Sequence, residues 1–410
     1  MREGWKEYKL GELIEIKYGK DHKKLKDGIY PLYGSGGIMR YVEKYLYDKE
    51  SILIPRKGTL TNLFYLNKPF STVDTMFWSK INNDLVFPRF LYYMLKTFDL
   101  STLNVGAAVP SLTTQVLNEV LIEIPDSLPT QRLIASILSA YDDLIENNLQ
   151  RIKLLEEKAQ LTYEEWFVRM KFPGHETVKM DEETGLPEGW NVFKLKDCCE
   201  LIMGQSPKSE FYNENGNGLP FHQGVKDYGF RFPTNSTWSI EGKRYAVEDS
   251  ILFSVRAPVG RLNVAIEKII LGRGLAAVNH KMGWNSFLFY QLQKTFFKDN
   301  LMGGGAIFSS VTKSDVEGIK LLHATDEITS KFNSFASKID TSIKALTKQN
   351  QLLKEARDIL LPRLMSGMVD PDEIVGTGME ESLGTGTYDL QANEEVNMAA
   401  EGKGVYGKKK

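Results

Sequence analysis

The 410-residue sequence predicts an α+β protein: two similar globules and two long antiparallel coiled-coil helices, arranged as a tandem repeat with a pseudo-twofold axis. Three observations lead there. Starting at Phe332, alternating steps of three and four meet Phe332, Phe335, Ile339, Ser342, Leu346, Gln349, Leu353, Ala356 and Leu360, a mostly apolar 3.5-residue period that suits a coiled-coil seam. The same steps taken 198 residues earlier meet Ile134, Ile137, Tyr141, Leu144, Asn148, Arg151, Leu155, Lys158 and Thr162, which begin apolar and turn polar. The segments preceding the two helices also share landmarks in one order at nearly one offset, as a duplicated unit requires.

Taken in order, residues 1–128 read as the first globule. It opens on Trp5-Lys6-Glu7-Tyr8-Lys9-Leu10-Gly11, followed by a basic loop over 20–26 and a Gly-rich turn at Tyr33-Gly34-Ser35-Gly36-Gly37. Ser51-Ile52-Leu53-Ile54-Pro55 reads as a strand leading into Arg56 and Lys57. Phe90-Leu91-Tyr92-Tyr93-Met94-Leu95 reads as a short buried helix, and Val120-Leu121-Ile122-Glu123-Ile124-Pro125 as a closing strand ended by proline. Residues 129–172 form the first long helix and 173–186 a linker. In the second globule, 187–324, Trp190-Asn191-Val192-Phe193-Lys194-Leu195 repeats the opening at an offset of 185, and Gly204 falls on Gly19. Ser250-Ile251-Leu252-Phe253 repeats the strand at 199, Phe287-Leu288-Phe289-Tyr290 the aromatic helix at 197, and residues 305–312 the small-residue loop 106–113 at 199. The second long helix takes 325–370. The tail 371–410, glycine-rich and acidic with a terminal Lys408-Lys409-Lys410, is expected to be disordered.

A chain of this length holds more than one core. The net charge of -2 excludes an all-over basic polyanion binder but conceals a segmental pattern. Residues 1–128 hold 17 basic and 15 acidic residues and 187–324 hold 16 and 13, whereas 129–186 hold 7 and 11 and 325–410 hold 11 and 14. Mildly basic globules suit a polyanion and acidic helices suit protein partners. The two cysteines, Cys198 and Cys199, are adjacent and permit no disulfide framework, so a reducing, cytoplasmic setting is expected, with the pair serving as packing residues. No signal-like or membrane-spanning apolar run is expected.

The alternation of globules with repeated helices, and the phrases Tyr30-Pro31-Leu32-Tyr33-Gly34-Ser35-Gly36-Gly37, Pro55-Arg56-Lys57-Gly58, Pro220-Phe221-His222-Gln223-Gly224, Arg256-Ala257-Pro258-Val259-Gly260-Arg261 and Gly272-Arg273-Gly274, resemble the specificity subunit of type I restriction-modification systems over residues 1–370. The resemblance implies two target-recognition domains, 1–128 and 187–324, each reading one half of a bipartite double-stranded DNA site. It implies that the helices set the gap and recruit methyltransferase subunits and restriction-translocase subunits. The chain itself would then be non-catalytic and hold no cofactor, with S-adenosylmethionine, ATP and magnesium belonging to its partners.

Motif reading agrees with a chain that performs no chemistry. There is no Asp/Asn/Ser-Pro-Pro-aromatic methyltransferase motif and no Walker loop. The one nuclease-like match, Pro125-Asp126 with Glu156-Glu157-Lys158, falls inside a helical stretch, where residues i and i+2 face apart. His22, His175, His222, His280 and His323 lack metal-ligand spacing, so no metal site is expected. For DNA reading the useful groups are Arg, Lys, Asn, Gln and hydroxyls on loops. The first domain offers Lys20, Lys23, Lys24, Ser35, Arg56, Lys57, Thr59 and Asn62; the second offers Gln205, Lys208, His222, Gln223, Lys226, Arg256, Arg261 and Arg273. Arg56 and Arg256 both follow the repeated strand and so are expected in related places. Solvated surface charge is the competing reading for each lysine, and turn formation for Gly34, Gly36, Gly37 and Gly303–Gly305. Tyr163, Trp166, Phe167, Leu361, Leu364 and Met365 exceed what two helices can share and are candidate subunit contacts, with packing against the chain's own globules as the alternative. A non-catalytic coiled-coil scaffold or ligand-binding protein is the alternative function; salt-dependent duplex binding would separate the two.

Overall fold

The computed structural model describes residues 4–106, 109–297 and 310–376. They form two compact units: one takes the chain up to Leu144 and again from Leu353, and the other takes Ile145–Leu352. The division falls inside both long helices, so each unit owns a globule and a stretch of each helix.

The first unit contains β1 (Trp5–Lys9), α1 (Leu10–Leu13), β2 (Ile14–Tyr18), β3 (Asp27–Gly34), β4 (Gly37–Val42), β5 (Ser51–Pro55), β6 (Phe64–Leu66), β7 (Ser71–Thr72), β8 (Met76–Ile81), α2 (Pro88–Lys96), α3 (Thr114–Asn118), β9 (Leu121–Pro125) and the start of α4 (Leu128–Tyr163). The strand β5 is buried along its whole length because it lies between β8 and β6, which explains its unbroken apolar run. Its one polar residue is satisfied: Ser51 Oγ donates to Ser79 O at 2.8 Å and Ser79 Oγ accepts from Ile52 N at 2.9 Å. Pro88 starts α2 where no helical N–H donor is needed, and the helix buries Phe90, Leu91, Tyr93, Met94 and Leu95. That face packs with Ile134, Leu138, Leu361 and Leu364 from the two long helices in one core.

The second unit repeats the plan with β10 (Asn191–Lys194), α5 (Leu195–Cys198), β11 (Cys199–Met203), β12 (Tyr212–Asn213), β13 (Leu219–His222), β14 (Trp238–Ser239), β15 (Tyr245–Ala246), β16 (Ile251–Ser254), β17 (Leu262–Val264), β18 (Ile269–Leu271), β19 (Leu275–His280), α6 (Asn285–Phe297), α7 (Lys313–Glu317), β20 (Lys320–His323) and most of α8 (Asp326–Met365). Strand order β2-β8-β5-β6 in the first unit corresponds to β11-β19-β16-β17 in the second. The closing pair β1–β9 corresponds to β10–β20, and the parallel pair β3–β7 to β13–β18. Individual backbone hydrogen bonds recur as well: Leu112 N to Arg56 O matches Val311 N to Val255 O, and Arg56 N to Thr75 O matches Val255 N to Gly274 O. The duplication is therefore present in the topology and in single bonds.

Several expectations change in detail. Over 332–350 the buried positions of α8 are Phe332, Ala336, Ile339, Ile343, Leu346 and Asn350, so Phe335, Ser342 and Gln349 lie beside the seam, not in it. In α4 likewise Leu138, Ile145, Ile152, Ala159 and Tyr163 replace Ile137, Leu144, Arg151, Lys158 and Thr162 as the regular inward set, although Ile137 is also buried against the globule. Within the second unit the two helices run antiparallel, since Tyr163 meets Phe332 while Asn148 meets Asn350. The first long helix ends with a π-helical turn, Glu164–Val168, and leaves helical geometry at Met170, whose φ is 59°. Residues 371–376, expected to be disordered, form a short helix, α9 (Pro371–Gly376), with Ile374 against the first unit's core. Residues 377–410 and the glycines 303–305 lie outside the described residues. Among the described residues no helix is long and apolar enough to cross a membrane.

Candidate nucleic-acid interface

In the first unit the strand end of β5 delivers Arg56 and Lys57 to the surface, and neighbouring backbone fixes their place. Arg56 N donates to Thr75 O at 2.8 Å, while the Lys57 backbone bridges to Ser111. The Arg56 guanidinium donates to Asp74 O at 3.2 Å and lies over the exposed Tyr18 ring, 5.3 Å from its centre. Gly58, at φ +92°, lets the chain turn; a Cβ there would sit 3.2 Å from Ser35 Oγ, so the turn abuts the β3–β4 hairpin. From the same loop Asn62 donates to Ser35 O at 2.9 Å. Lys20 joins from the end of β2, its N–H donating to Thr72 O at 3.0 Å. The structure thus brings Lys20, Ser35, Arg56, Lys57 and Asn62 into one neighbourhood, with Thr59 exposed on the turn between. Lys23 and Lys24 are exposed on a loop that Arg40 holds, by donating to His22 O and Leu25 O, and no contact joins them to Arg56.

In the second unit Gln205 takes the place of Lys20: its N–H donates to Leu271 O at 2.9 Å. Beside it Ser206 Oγ donates to Gln223 Oε1 at 2.6 Å and accepts from Arg273 N at 3.1 Å, tying three loops together. Ser206 was not among the sequence candidates; its position two residues after the repeated Gly204 was the available signal. Arg256 follows β16, its backbone bridged to Ser310, and the Arg261 N–H donates to Ser254 Oγ at 2.8 Å. Lys226 is exposed on the turn after Gln223, and Lys208 is exposed and paired with Glu210.

The geometry corrects three expectations. Arg56 does not match Arg256: at the common offset of 199 Arg56 matches the buried Val255, and Lys57 matches Arg256. His222 is fully buried; its Nε2 lies 3.1 Å from Asn235 Oδ1 and its Nδ1 3.6 Å from Asp227 Oδ2, and burial holds its pKa below the usual value, so it is a core group and not a base reader. Of the candidate subunit contacts, Tyr163, Phe167, Leu361, Leu364 and Met365 are buried in the cores of their own units, and Trp166 packs on Phe332, which is the alternative of packing against the chain's own globules. Glu156, from the nuclease-like match, lies in α4 beside Arg231. Cys199 is buried, and the neighbouring Cys198 thiol together with burial pushes its own thiol up, which removes it from chemistry. Among the described residues no cluster of His, Cys, Asp and Glu could hold a metal ion.

The two units thus carry corresponding loop surfaces bearing Lys, Arg, Gln and Asn, each built on a sheet of the same strand order. The match to the type I restriction modification DNA specificity domain covers residues 2–157 and 187–355, and the chain belongs to that family. It is a sequence-specific DNA-recognition subunit of type I restriction-modification type. It is 31% identical over 296 residues to the MjaX type I specificity subunit of Methanocaldococcus jannaschii, covering 70% of this chain and 69% of that one. To the MjaIX specificity subunit of the same organism it is 28% identical over 348 residues, covering 80% of each. In fold it is similar to the crystal structure of the type I S subunit from M. genitalium, with a TM-score of 0.61 and 18% identity over 88% of this chain and 96% of that one.

Proposed function

We propose that each unit reads one half of a bipartite DNA sequence and that the long helices set the gap between the halves. The observation that carries this is the recurrence of one surface in both units, with Lys57 and Arg256 at the same backbone position. Two related readers on one chain suit two separated half-sites. Their side chains differ, so the two halves would differ in sequence. Arg256 can address guanine through two parallel bonds, whereas Lys57 offers a point charge suited to a phosphate or a single acceptor.

On this reading the chain performs no catalysis. It is held in the cytoplasm in complex with methyltransferase and restriction-translocase subunits, which would carry S-adenosylmethionine, ATP and magnesium. Leucines left exposed on α4 support recruitment through the helices. Leu154 and Leu161 are 63% and 60% exposed, and Leu154 and Leu155 border a groove closed by Ser342, Ala345 and Leu346. Such a groove accepts a further apolar helix face. The test is purification from the native cell followed by mapping of methylated adenines. A stoichiometric adenine methyltransferase and a two-part methylated motif are expected. Isolation without one, or a motif of one uninterrupted block, overturns the reading.

A further inference from the structure

The second unit contains a cation whose burial the surface reading does not use. Arg231 is 3% exposed, although it belongs to a short turn between Tyr228 and Pro233 on the surface of the globule. Its guanidinium passes inward to the long helices, donating from Nη2 to Asp340 of α8 and lying 3.4 Å from Glu156 of α4 through Nη1. It stacks on α6, with its central carbon 3.4 Å from the centre of the Phe289 ring, and Tyr290 OH donates to the same Asp340 oxygen at 3.4 Å. One side chain therefore joins three helices to one turn. Burying one cation with two carboxylates is costly and adds little net stability against an apolar filling, but it fixes geometry because each partner strands the others if it moves.

The turn is in turn tied to the reading surface. Val264 N donates to Arg231 O at 2.9 Å and Asn263 donates to Gly229 O at 3.1 Å, clamping the turn to β17. On its N-terminal side the turn continues from Gln223 and Lys226, both exposed, and Thr234 N donates to Asp227 O at 2.8 Å, closing the segment on itself. In the first unit the corresponding carboxylate, Asp142, accepts from Tyr93 OH at 2.6 Å, but its arginine, Arg357, comes from the other long helix and not from the globule. Among the described residues, only in the second unit does a surface turn supply the cation.

We propose that Arg231 is a positioning residue for base reading by the second unit: it plugs the segment carrying Gln223 and Lys226 into the junction of α4, α6 and α8, so that the aim of that segment is set by the helices. This rests on the reading of that unit as the reader of one half-site.

The test uses the full chain with its native methyltransferase subunits and two variants. R231K keeps the charge but loses the planar fork and the stack. The triple variant E156Q/R231M/D340N removes the three charges together and so strands no buried ion. In both, the backbone amides of residues 226–234 are expected to exchange hydrogen at least tenfold faster. Methylation at sites mismatched in the half read by the second unit should rise at least tenfold, with the other half unchanged. Folded variants with wild-type exchange and wild-type discrimination at both halves overturn the proposal, and so does relaxation spread equally over both halves. A wild-type complex that methylates no bipartite site would instead overturn the reading of the unit, and the positioning role with it.

Discussion

Lys57 and Arg256 occupy one backbone position in the two units: Lys57 bridges to Ser111 and Arg256 to Ser310, and both members of the second pair stand 199 residues after those of the first. Identical placement with different chemistry predicts different failures. Arg256→Ala should cost about 1–3 kcal/mol of binding to the cognate half-site and relax selectivity there. Lys57→Ala should weaken binding nearly uniformly and lower the slope of log affinity against log salt by about 1. Titration of duplex DNA at several salt concentrations separates the two, and unchanged binding by either folded variant removes that residue from the interface.

Gly19 and Gly204 admit no side chain. A Cβ at Gly19 would lie 2.0 Å from Val73 O, and at Gly204 2.1 Å from Gly272 O, both backbone atoms that cannot step aside cheaply. Each glycine donates its N–H to the first residue of the strand paired with the one it ends, Gly19 to Met76 O of β8 and Gly204 to Leu275 O of β19. Gly19→Ala and Gly204→Ala should each destabilise their own unit by about 1–3 kcal/mol. Urea denaturation followed by probes in each unit checks this; a midpoint within error of wild type contradicts the close approach.

The seam of the second unit contains a polar layer. Asn148 donates to Asn350 Oδ1 at 2.9 Å and to Gln349 Oε1 at 3.0 Å, and both asparagines are at most 5% exposed. Asn148→Leu alone leaves the buried Asn350 Oδ1 without its donor and should cost about 1–3 kcal/mol. Replacing both by leucine should restore or raise the melting temperature while weakening the preference for one register, because a single polar layer is what marks alignment in an otherwise uniform apolar seam. Size-exclusion profiles of the double variant are expected to show a second species. A single species with an unchanged melting temperature in both variants would mean the layer is incidental.

His280 gives the second unit an acid limit. Its ring is 6% exposed, stacks on Trp284 at 5.0 Å and accepts from Met282 N at 3.2 Å, and burial first, then the neighbouring His323, pushes its pKa down to about 4. An ordinary histidine titrates near 6.5, so the unfolded chain takes up the proton first. The contribution of the neutral ring is complete above about pH 6.5 and is lost as pH falls toward 4, up to roughly 3 kcal/mol. Unfolding midpoints at pH 7 and pH 4.5 should differ less in His280→Asn than in wild type. An equal pH dependence in the two would assign the acid sensitivity elsewhere.

The long helices were legible because a mostly apolar 3.5-residue period persists over about eight turns, from Phe332 to Leu360, and the second long helix runs Asp326–Met365. Which of two adjacent residues faces inward was not, because a helix lying against both a partner helix and a globule buries a band wider than one seam. The polar seam members Ser342, Gln349, Arg151 and Lys158 were the available sign: moving each by one residue gives Ile343, Asn350, Ile152 and Ala159, all buried. Topology was legible through repeated phrases such as Ser51-Ile52-Leu53 and Ser250-Ile251-Leu252. The site was legible in type but not in pairing. Arg56 and Arg256 match by residue name, while strand register, fixed by hydrogen bonds far apart in sequence, pairs Arg256 with Lys57. His222 misled because a polar residue in a turn-like phrase gives no hint that Asn235 and Asp227 will enclose it.

Each globule begins and ends at one place. Trp5 pairs with Pro125 across β1 and β9, and Asn191 with His323 across β10 and β20, so the chain enters and leaves through two neighbouring strands whose side chains take little part in the reading surface. A globule attached in this way is a cassette: the sequence between the paired strands can be exchanged for another that closes on the same two-stranded clasp, provided that it keeps the residues packed on the helices, such as Phe90 and Leu91 in the first unit and Phe287 and Arg231 in the second. New DNA addresses can therefore arise by recombination between the clasps, as long as those contacts with the helices are carried along.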